Sequence, residues 1–155
     1  MMLPVCTRSN YKISPSLIQI SRMTMNEIEK IENFSIENQF GKIMWPGKTN
    51  LIGMNLDLIV NISENSAEVY PDDLYPNENK KPLKGSDLNK KARITLFNIE
   101  NGQSRENFDE YLINMAKEQN CKHIEYDPKM KEWTFEVEHF SIYRFQEKKC
   151  LKCNR

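Results

Sequence analysis

The stretch that decides the fold lies near the end of the chain and reads Glu132-Trp133-Thr134-Phe135-Glu136-Val137-Glu138-His139-Phe140-Ser141. Trp133, Phe135 and Val137 alternate with polar residues, and this period of two predicts a β-strand with one buried face. If the alternation continues, His139 and Ser141 fall on the buried face and Phe140 on the opposite one. Residues 123–126 predict the partner strand of a hairpin that turns over residues 127–131.

His139 and Ser141 are residue types that serve as a general base and a nucleophile. On one face of a strand their Cβ atoms would lie about 7 Å apart, so the imidazole and the hydroxyl could lean into hydrogen-bond contact. A serine activated by such a base attacks carbonyl carbons, and the nearest one belongs to Phe140, directly before it. Because a His-x-Ser triplet also ends many strands that perform no chemistry, the residues alone leave both interpretations open.

Further strands are predicted from short apolar runs that turn residues separate. They lie at residues 34–36, 42–45, 58–62, 67–70 and 92–97, and the loop between the third and fourth of them spans residues 63–66. Residues 71–86 contain three prolines and many charges, so we expect a long loop there.

Three helices are predicted from capping residues and apolar spacing. Ser16 can cap one helical turn, and Thr24 with Glu27 forms a capping box that starts a helix over residues 25–31. Apolar residues at helical spacing predict a longer helix over residues 105–119, with Ser104 as its N-cap.

The composition argues against several classes of protein. The 155 residues include 22 Lys and Arg and 22 Asp and Glu, so the net charge is 0. A general nucleic-acid-binding protein carries a basic excess, and we therefore do not expect direct nucleic-acid binding. No apolar run is long enough for a membrane span, and the first residues do not have the pattern of a signal peptide, so no membrane partner is expected. The 4 cysteines then suggest a reducing, intracellular compartment.

Cys150 and Cys153 have the spacing of half a zinc site within a basic tail. A tetrahedral site needs four ligands, and the only histidines are His123 and His139. We expect no metal and no cofactor, but a zinc- or RNA-binding module remains the alternative from a different class.

Taken together, ordered segments along most of the chain resemble the autoproteolytic C-terminal domain of the GLFG nucleoporins, the nucleoporin autopeptidase family. The matching segments are Tyr11–Leu17, Ile31–Ile36, Asn55–Val60, Glu68–Asp73, Lys81–Lys90, Tyr126–Pro128, Glu132–Val137 and His139-Phe140-Ser141. One departure follows the serine: Arg144 stands where the family often has glycine, and glycine permits backbone conformations that arginine resists.

This resemblance implies an α+β fold, with a central, half-open antiparallel β-sheet of about six strands flanked by short helices. The domain would cover residues 11–145, between a flexible lead-in over residues 1–10 and a basic tail over residues 146–155. The resemblance also implies a single self-cleavage in cis between Phe140 and Ser141, with no small-molecule substrate. Ser141 would be the nucleophile, His139 the base, and Phe140 the residue that supplies the scissile carbonyl.

Further roles follow from the same resemblance. Asn89 or Lys90 would stabilise the oxyanion or position the bond, and Ile142, Tyr143 and Phe145 would lie in a peptide groove. The cleaved segment would stay in that groove or exchange for a peptide of a scaffold nucleoporin. That exchange would dock the protein at the nuclear pore complex of the nucleus and support nucleocytoplasmic transport. A non-cleaving, peptide-binding docking module of the same fold is the alternative.

Overall fold

The computed structural model describes residues 2–77 and 80–147. The elements in these ranges, in chain order, are β1 (Lys12–Ser14), α1 (Leu17–Ser21), α2 (Met25–Ile28), β2 (Ile31–Glu32), β3 (Ser35–Glu37), β4 (Gly41–Met44), β5 (Lys48–Thr49), α3 (Leu56–Ile59), β6 (Val60–Ser63), β7 (Ser66–Val69), β8 (Ala92–Leu96), α4 (Phe108–Glu118), β9 (Lys122–Asp127), β10 (Glu132–Val137) and β11 (Ile142–Arg144). The predicted α+β class is confirmed. Within these ranges, no helix has the length and apolar character that crossing a bilayer requires.

The strands form one large antiparallel sheet and two small ones. The six-stranded sheet has the order β1-β3-β4-β8-β10-β9, the three-stranded sheet β11-β7-β6, and the third sheet pairs β2 with β5. In β10 the predicted alternation holds, because Trp133, Phe135 and Val137 are at most 1% exposed. They pair with β8, which contributes the buried Ile94 and Leu96 to the same core.

The two N-terminal helices begin where their capping residues predicted. The side chains of Ser16 and Thr24 both accept the third backbone N–H of their helices, and Glu27 closes the second capping box. α2 ends at Ile28, three residues before the predicted end, because Ile31 already pairs with Thr49 as part of β2.

The long helix begins later than predicted. It starts at Phe108, and its N-cap is Asn107, whose Oδ1 accepts the Glu110 N–H at 3.0 Å. The prediction of Ser104 as the cap is wrong, because Ser104, with a φ of +48°, lies three residues before the actual cap and outside the helix.

The predicted strand over residues 58–62 is a helix in its first part. Leu56 and Ile59 are buried at a spacing of three residues within α3, whereas Leu58 between them is 54% exposed. The strand β6 starts only at Val60. The hairpin to β7 is also tighter than predicted, because Ser63 already pairs with Ser66.

The segment before Tyr11 is attached to α3. The Val5 N–H donates to the Met54 carbonyl and the Val5 carbonyl accepts from Leu56, both at 2.8 Å. The Asp57 carboxylate accepts from the hydroxyl and the N–H of Thr7, and these hydrogen bonds lower the pKa of Asp57. Val5 and Thr7, within the predicted lead-in over residues 1–10, thus make hydrogen bonds to α3 and the residues next to it.

β10 and β11 belong to different sheets, so the chain must pass from one to the other. It does so over residues 138–141, directly after Val137. The Phe140–Ser141 bond thus lies at the crossing between the six-stranded and the three-stranded sheet.

Candidate active site

The strand alternation does not continue to His139 and Ser141. β10 ends at Val137, and Phe140 is the buried residue, at 2% exposure. Ser141 is exposed and His139 is half-buried. The prediction that His139 and Ser141 share the buried face is wrong, because a period of two holds only while the backbone stays extended, and here the chain turns toward a second sheet.

Phe140 is held by its ring and by its backbone. Its ring centroid lies 5.8 Å from that of Trp45 and 6.0 Å from that of Tyr143. Its N–H donates to Asn89 Oδ1 at 2.8 Å in a buried position. Trp45 is fixed in turn, because its Nε1–H donates to the Leu88 carbonyl at 3.0 Å.

The Asn89 side chain connects Phe140 to the loop before β8. Asn89 is 1% exposed, and its Nδ2 donates to the Pro82 carbonyl at 2.8 Å. An N–H can only donate and a carbonyl can only accept, so these two partners fix the orientation of the Asn89 amide. The Asn89 side chain thus links the Phe140 N–H to the Pro82 carbonyl and uses one of its two Nδ2 hydrogens to do so.

The Lys90 side chain is directed elsewhere. Its Nζ donates to the Lys48 carbonyl in β5, and burial lowers the pKa of Lys90. Of the two loop residues that the sequence singled out, the structure brings only Asn89 to the Phe140–Ser141 bond.

The Tyr143 hydroxyl contacts the residues on both sides of Phe140. Among the described residues, no hydrogen bond joins the side chains of His139 and Ser141. Instead the Tyr143 hydroxyl donates to the His139 carbonyl at 2.8 Å. Burial raises the pKa of Tyr143, and hydrogen bonds with Ser141 act in the opposite direction. Ser141 is therefore an exposed residue, and the carbonyl before it belongs to Phe140, whose N–H is held by Asn89.

The chain after Ser141 lies as an added strand along β7. Ile142 pairs with Glu68 and Tyr143 with Ala67, and the Phe145 N–H donates to the Asn65 carbonyl at 2.8 Å. Tyr143 and Phe145 are buried, whereas Ile142 is half-buried. The three residues predicted to lie in a groove thus do contact one surface of the domain.

Phe145 packs against aromatic residues of the domain. Its ring meets those of Phe108 at 6.1 Å and Trp133 at 6.3 Å, both edge to face. Arg144, the departure from the family pattern, is an ordinary strand residue with an exposed side chain, and it pairs with Ser66. An arginine fits here because the backbone at this position is extended.

Several residues that build the site carry little or no signal in the sequence. The sequence predicts Trp45 only as part of a strand, although an aromatic residue directly before Pro46-Gly47 is also consistent with a strand end at the core. Leu88 and Gln119 gave no signal, because their contacts are made by a backbone carbonyl and by a side-chain amide across long separations in sequence.

The alternative of a zinc site depends on two cysteines that lie outside the residues that the structure describes. Cys150 and Cys153 fall in the range 148–155, beyond the described residues. Within residues 2–77 and 80–147, no three His, Cys, Asp or Glu side chains are grouped so as to hold a metal ion. The basic tail over residues 146–155 lies mostly beyond them as well.

The fold and the site define a class: an α+β domain that carries its own C-terminal segment as an edge strand, directly after a buried phenylalanine. A family model described as "Nup98-96 autopeptidase S59" matches residues 8–145. The chain therefore belongs to the nucleoporin autopeptidase family, as the sequence segments predicted. The relatives that share this domain are nuclear pore proteins, so the predicted location at the nuclear pore complex is confirmed.

Individual relatives agree with this assignment. The chain is 32% identical over 90% of its length to the nuclear pore complex protein Nup98-Nup96 of Dictyostelium discoideum, and 28% identical over 92% to NUP98A of Arabidopsis thaliana. It spans only 7% and 15% of the lengths of these two relatives.

Solved structures give the same result. A mutant of the Chaetomium thermophilum Nup145N APD, fused to Nup145C N, has a TM-score of 0.70 at 27% identity, over 84% of this chain and 94% of that one. The C-terminal domain of NUP116 from Candida glabrata has a TM-score of 0.67 at 27% identity, over 87% of this chain and 93% of that one.

Proposed function

We propose that this domain cleaves its own backbone once, between Phe140 and Ser141, and that the groove occupied by residues 142–145 docks the protein on the nuclear pore scaffold. The observation that carries the proposal is the contrast at the bond. Phe140 is 2% exposed and its N–H is fixed by Asn89, whereas the next residue, Ser141, is exposed and carries the hydroxyl.

The chemistry begins with the Ser141 hydroxyl. Its Oγ attacks the carbonyl carbon of Phe140 through a five-membered ring, and the bond from that carbon to the Ser141 nitrogen breaks. The nitrogen takes up the proton, and the Phe140 acyl group is now an ester on Oγ. Water then hydrolyses the ester, which leaves a carboxylate on Phe140 and a free amine and hydroxyl on Ser141.

Two groups of the chain assist this step. Asn89 and the packing of Trp45 hold Phe140, so the carbonyl meets the hydroxyl in an effectively unimolecular reaction. His139 is proposed as the base that accepts the Ser141 proton, although in the intact chain its side chain makes no hydrogen bond to Ser141. Its ring must therefore turn toward Ser141 before the attack.

Docking follows from the way in which the C-terminal segment is held. An extended segment added to the edge of β7 is bound through its main chain, which is the mode by which sheet edges recognise peptides. After cleavage the segment is no longer covalently attached, so a scaffold nucleoporin peptide of similar sequence could take its place.

The mass of the purified chain under denaturing conditions tests the cleavage. The parent is expected to give fragments 1–140 and 141–155, which together weigh one water molecule more than the intact chain. Ser141→Ala should stay intact, while Ser141→Thr, which keeps a hydroxyl, should still be cleaved. Ser9→Ala, an exposed serine far from the bond in sequence, is the matched control and should be cleaved like the parent.

His139→Ala tests the base. Loss of a general base slows such a reaction by about 10²–10⁴-fold, and imidazole added to the buffer should restore part of the rate. A folded His139→Ala chain that is cleaved at the parental rate would remove His139 from the mechanism.

The second candidate is a docking module of the same fold that stays intact. It is favoured by the regular pairing of Arg144 in β11, which shows that the arginine does not distort the C-terminal segment. An intact mass for a folded parent, together with displacement of the segment by a peptide with the sequence of residues 141–147, would support this function instead.

A further inference from the structure

We propose that the wall of the groove opposite β7 decides which segment the groove retains. In this wall, Gln119 binds the main chain of the fourth residue after the bond, and Arg105 selects an acidic side chain at the seventh. The occupant is the chain's own segment 141–147, and the inference rests on the proposed use of this groove for binding.

Gln119, directly after α4, binds the edge of β11 that β7 leaves open. Its Oε1 accepts the Arg144 N–H and its Nε2 donates to the Arg144 carbonyl, both at 2.8 Å. A side-chain amide in this position makes the two hydrogen bonds that another strand would make. The fourth residue is thus recognised by its backbone, and its exposed side chain can vary.

The residues on either side of Arg144 face inward. Tyr143 is 2% and Phe145 8% exposed, and the Gln146 N–H meets Met115 Sδ of α4 at 3.4 Å. The alternation of buried and exposed residues makes position 143 aromatic and position 145 apolar. It leaves positions 144 and 146 unrestricted by the core.

Glu147 continues the series at the end of the groove. Its carboxylate pairs with Arg105 Nη1 at 3.0 Å. The guanidinium is held in place by stacking on Tyr111, 3.8 Å from the ring centroid, so little side-chain entropy is lost when the pair forms. A Cβ at Gly102 would lie 2.8 Å from Glu147 Oε1, so the absence of a side chain there leaves room for the carboxylate.

Together these contacts describe the segment that the groove fits. It is an extended peptide with an aromatic third residue, an apolar fifth residue and an acidic seventh residue, counted from Ser141. A basic seventh residue would face the Arg105 guanidinium and be rejected.

Amide hydrogen exchange over residues 142–146 tests this in the full chain carrying Ser141→Ala, which holds the segment uncut. Gln119→Ala should speed exchange about tenfold, because two hydrogen bonds to the main chain are lost. Gln119→Glu keeps the size and the acceptor but directs a carboxylate oxygen at the Arg144 carbonyl, so it should be at least as harmful. Lys117→Ala, on the exposed side of α4, is the matched control and should match the starting chain.

The acidic position is tested by exchanging charges. Arg105→Gln and Glu147→Gln should each speed exchange about two- to fivefold, as expected for a partly exposed ion pair. Glu147→Arg should be worse than Glu147→Gln, and Glu147→Arg combined with Arg105→Glu should restore protection. Unchanged exchange in Gln119→Glu, or failure of the charge swap to restore protection in a folded chain, would overturn the proposal.

These measurements are independent of cleavage. If the parent stays intact but the Gln119 variants lose protection, the proposed cleavage fails and this inference stands. If the parent is cleaved but none of the groove variants changes the exchange, the proposed cleavage stands and this inference fails.

Discussion

The chain on the two sides of the Phe140–Ser141 bond is held in different ways. Before the bond, Phe140 is part of the core, with its ring against Trp45 and its N–H on the buried Asn89. After the bond, the segment is held as a three-residue strand at the edge of β7, with Gln119 on its other side.

This difference separates what the domain needs for its fold from what it can exchange. Removal of Phe140 would open the centre of the core, whereas removal of the segment after Ser141 would uncover the edge of β7. Strands bound at a sheet edge through main-chain hydrogen bonds behave as peptide ligands. A break between the two regions would therefore leave a stable domain and a ligand.

The largest effect is expected when phenylalanine is replaced by alanine on either side of the bond, in the uncut Ser141→Ala chain. Phe140→Ala should lower the free energy of unfolding by about 3–5 kcal/mol, because it leaves a cavity in a closed core. Phe145→Ala should lower it by only about 1–2 kcal/mol, because the loss cannot exceed the free energy that holds the edge segment. Urea denaturation midpoints measure both, and equal losses would mean that the segment is part of the core.

Asn89 is the next most sensitive position. Asn89→Ala leaves the buried Phe140 N–H and the Pro82 carbonyl without their partners, which should cost about 1–3 kcal/mol of stability. If positioning of Phe140 matters for the reaction, cleavage should also slow by about 100-fold.

Asn89→Asp provides the control for this prediction. It keeps an acceptor for the Phe140 N–H but cannot donate to Pro82, so it should lose stability while retaining more of the cleavage rate than Asn89→Ala. Cleavage at the parental rate in folded Asn89→Ala would contradict the positioning role.

A smaller effect is expected at the Tyr143 hydroxyl, which links the segment after Ser141 to the His139 carbonyl before it. Tyr143→Phe removes the hydrogen bond to the His139 carbonyl and keeps the ring, so the free energy of unfolding should fall by about 0.5–1.5 kcal/mol. Thermal unfolding of the uncut chain measures this. A loss as large as that of Phe140→Ala would show that the two sides are not separable.

The sequence predicted the parts of this arrangement that depend on local patterns. The alternation of Trp133, Phe135 and Val137 gave β10 and its buried face, and hydrogen-bonding side chains near Thr24 gave the start of α2. These features need only neighbouring residues, and local physics decides them.

The parts that failed depend on tertiary contacts. The burial of Phe140 in place of Ser141 results from a change of sheet, which no alternation within one strand can signal. Leu58 and Ile59 have the composition of a strand, but the segment before Tyr11 and the buried face of Leu56 hold them in α3. Gln119 follows the last residue of α4, one turn beyond Met115 on the apolar side, and a polar residue there adds nothing to an apolar pattern.

The smallest effect on the free energy of unfolding is expected from mild alkali, through the thiol of Cys121. Burial raises the pKa of the Cys121 thiol from 9.0 to about 12, and this thiol lies close enough to Tyr143 to affect its titration. Because the folded state holds the proton more tightly, the stabilisation is complete below pH 9.0 and is lost as the pH rises toward about 12. Burial also raises the pKa of Tyr70 and Tyr143, and these two tyrosines begin to contribute only above their ordinary pKa of 10.0. Denaturation midpoints are measured in reducing buffer at pH 8, 9 and 9.5, values within about one unit of the ordinary thiol pKa. As the pH rises, the midpoint should fall slightly in the parent and less in Cys121→Ala. Parallel curves for the two chains would show that the Cys121 thiol does not cause the loss of stability in alkali.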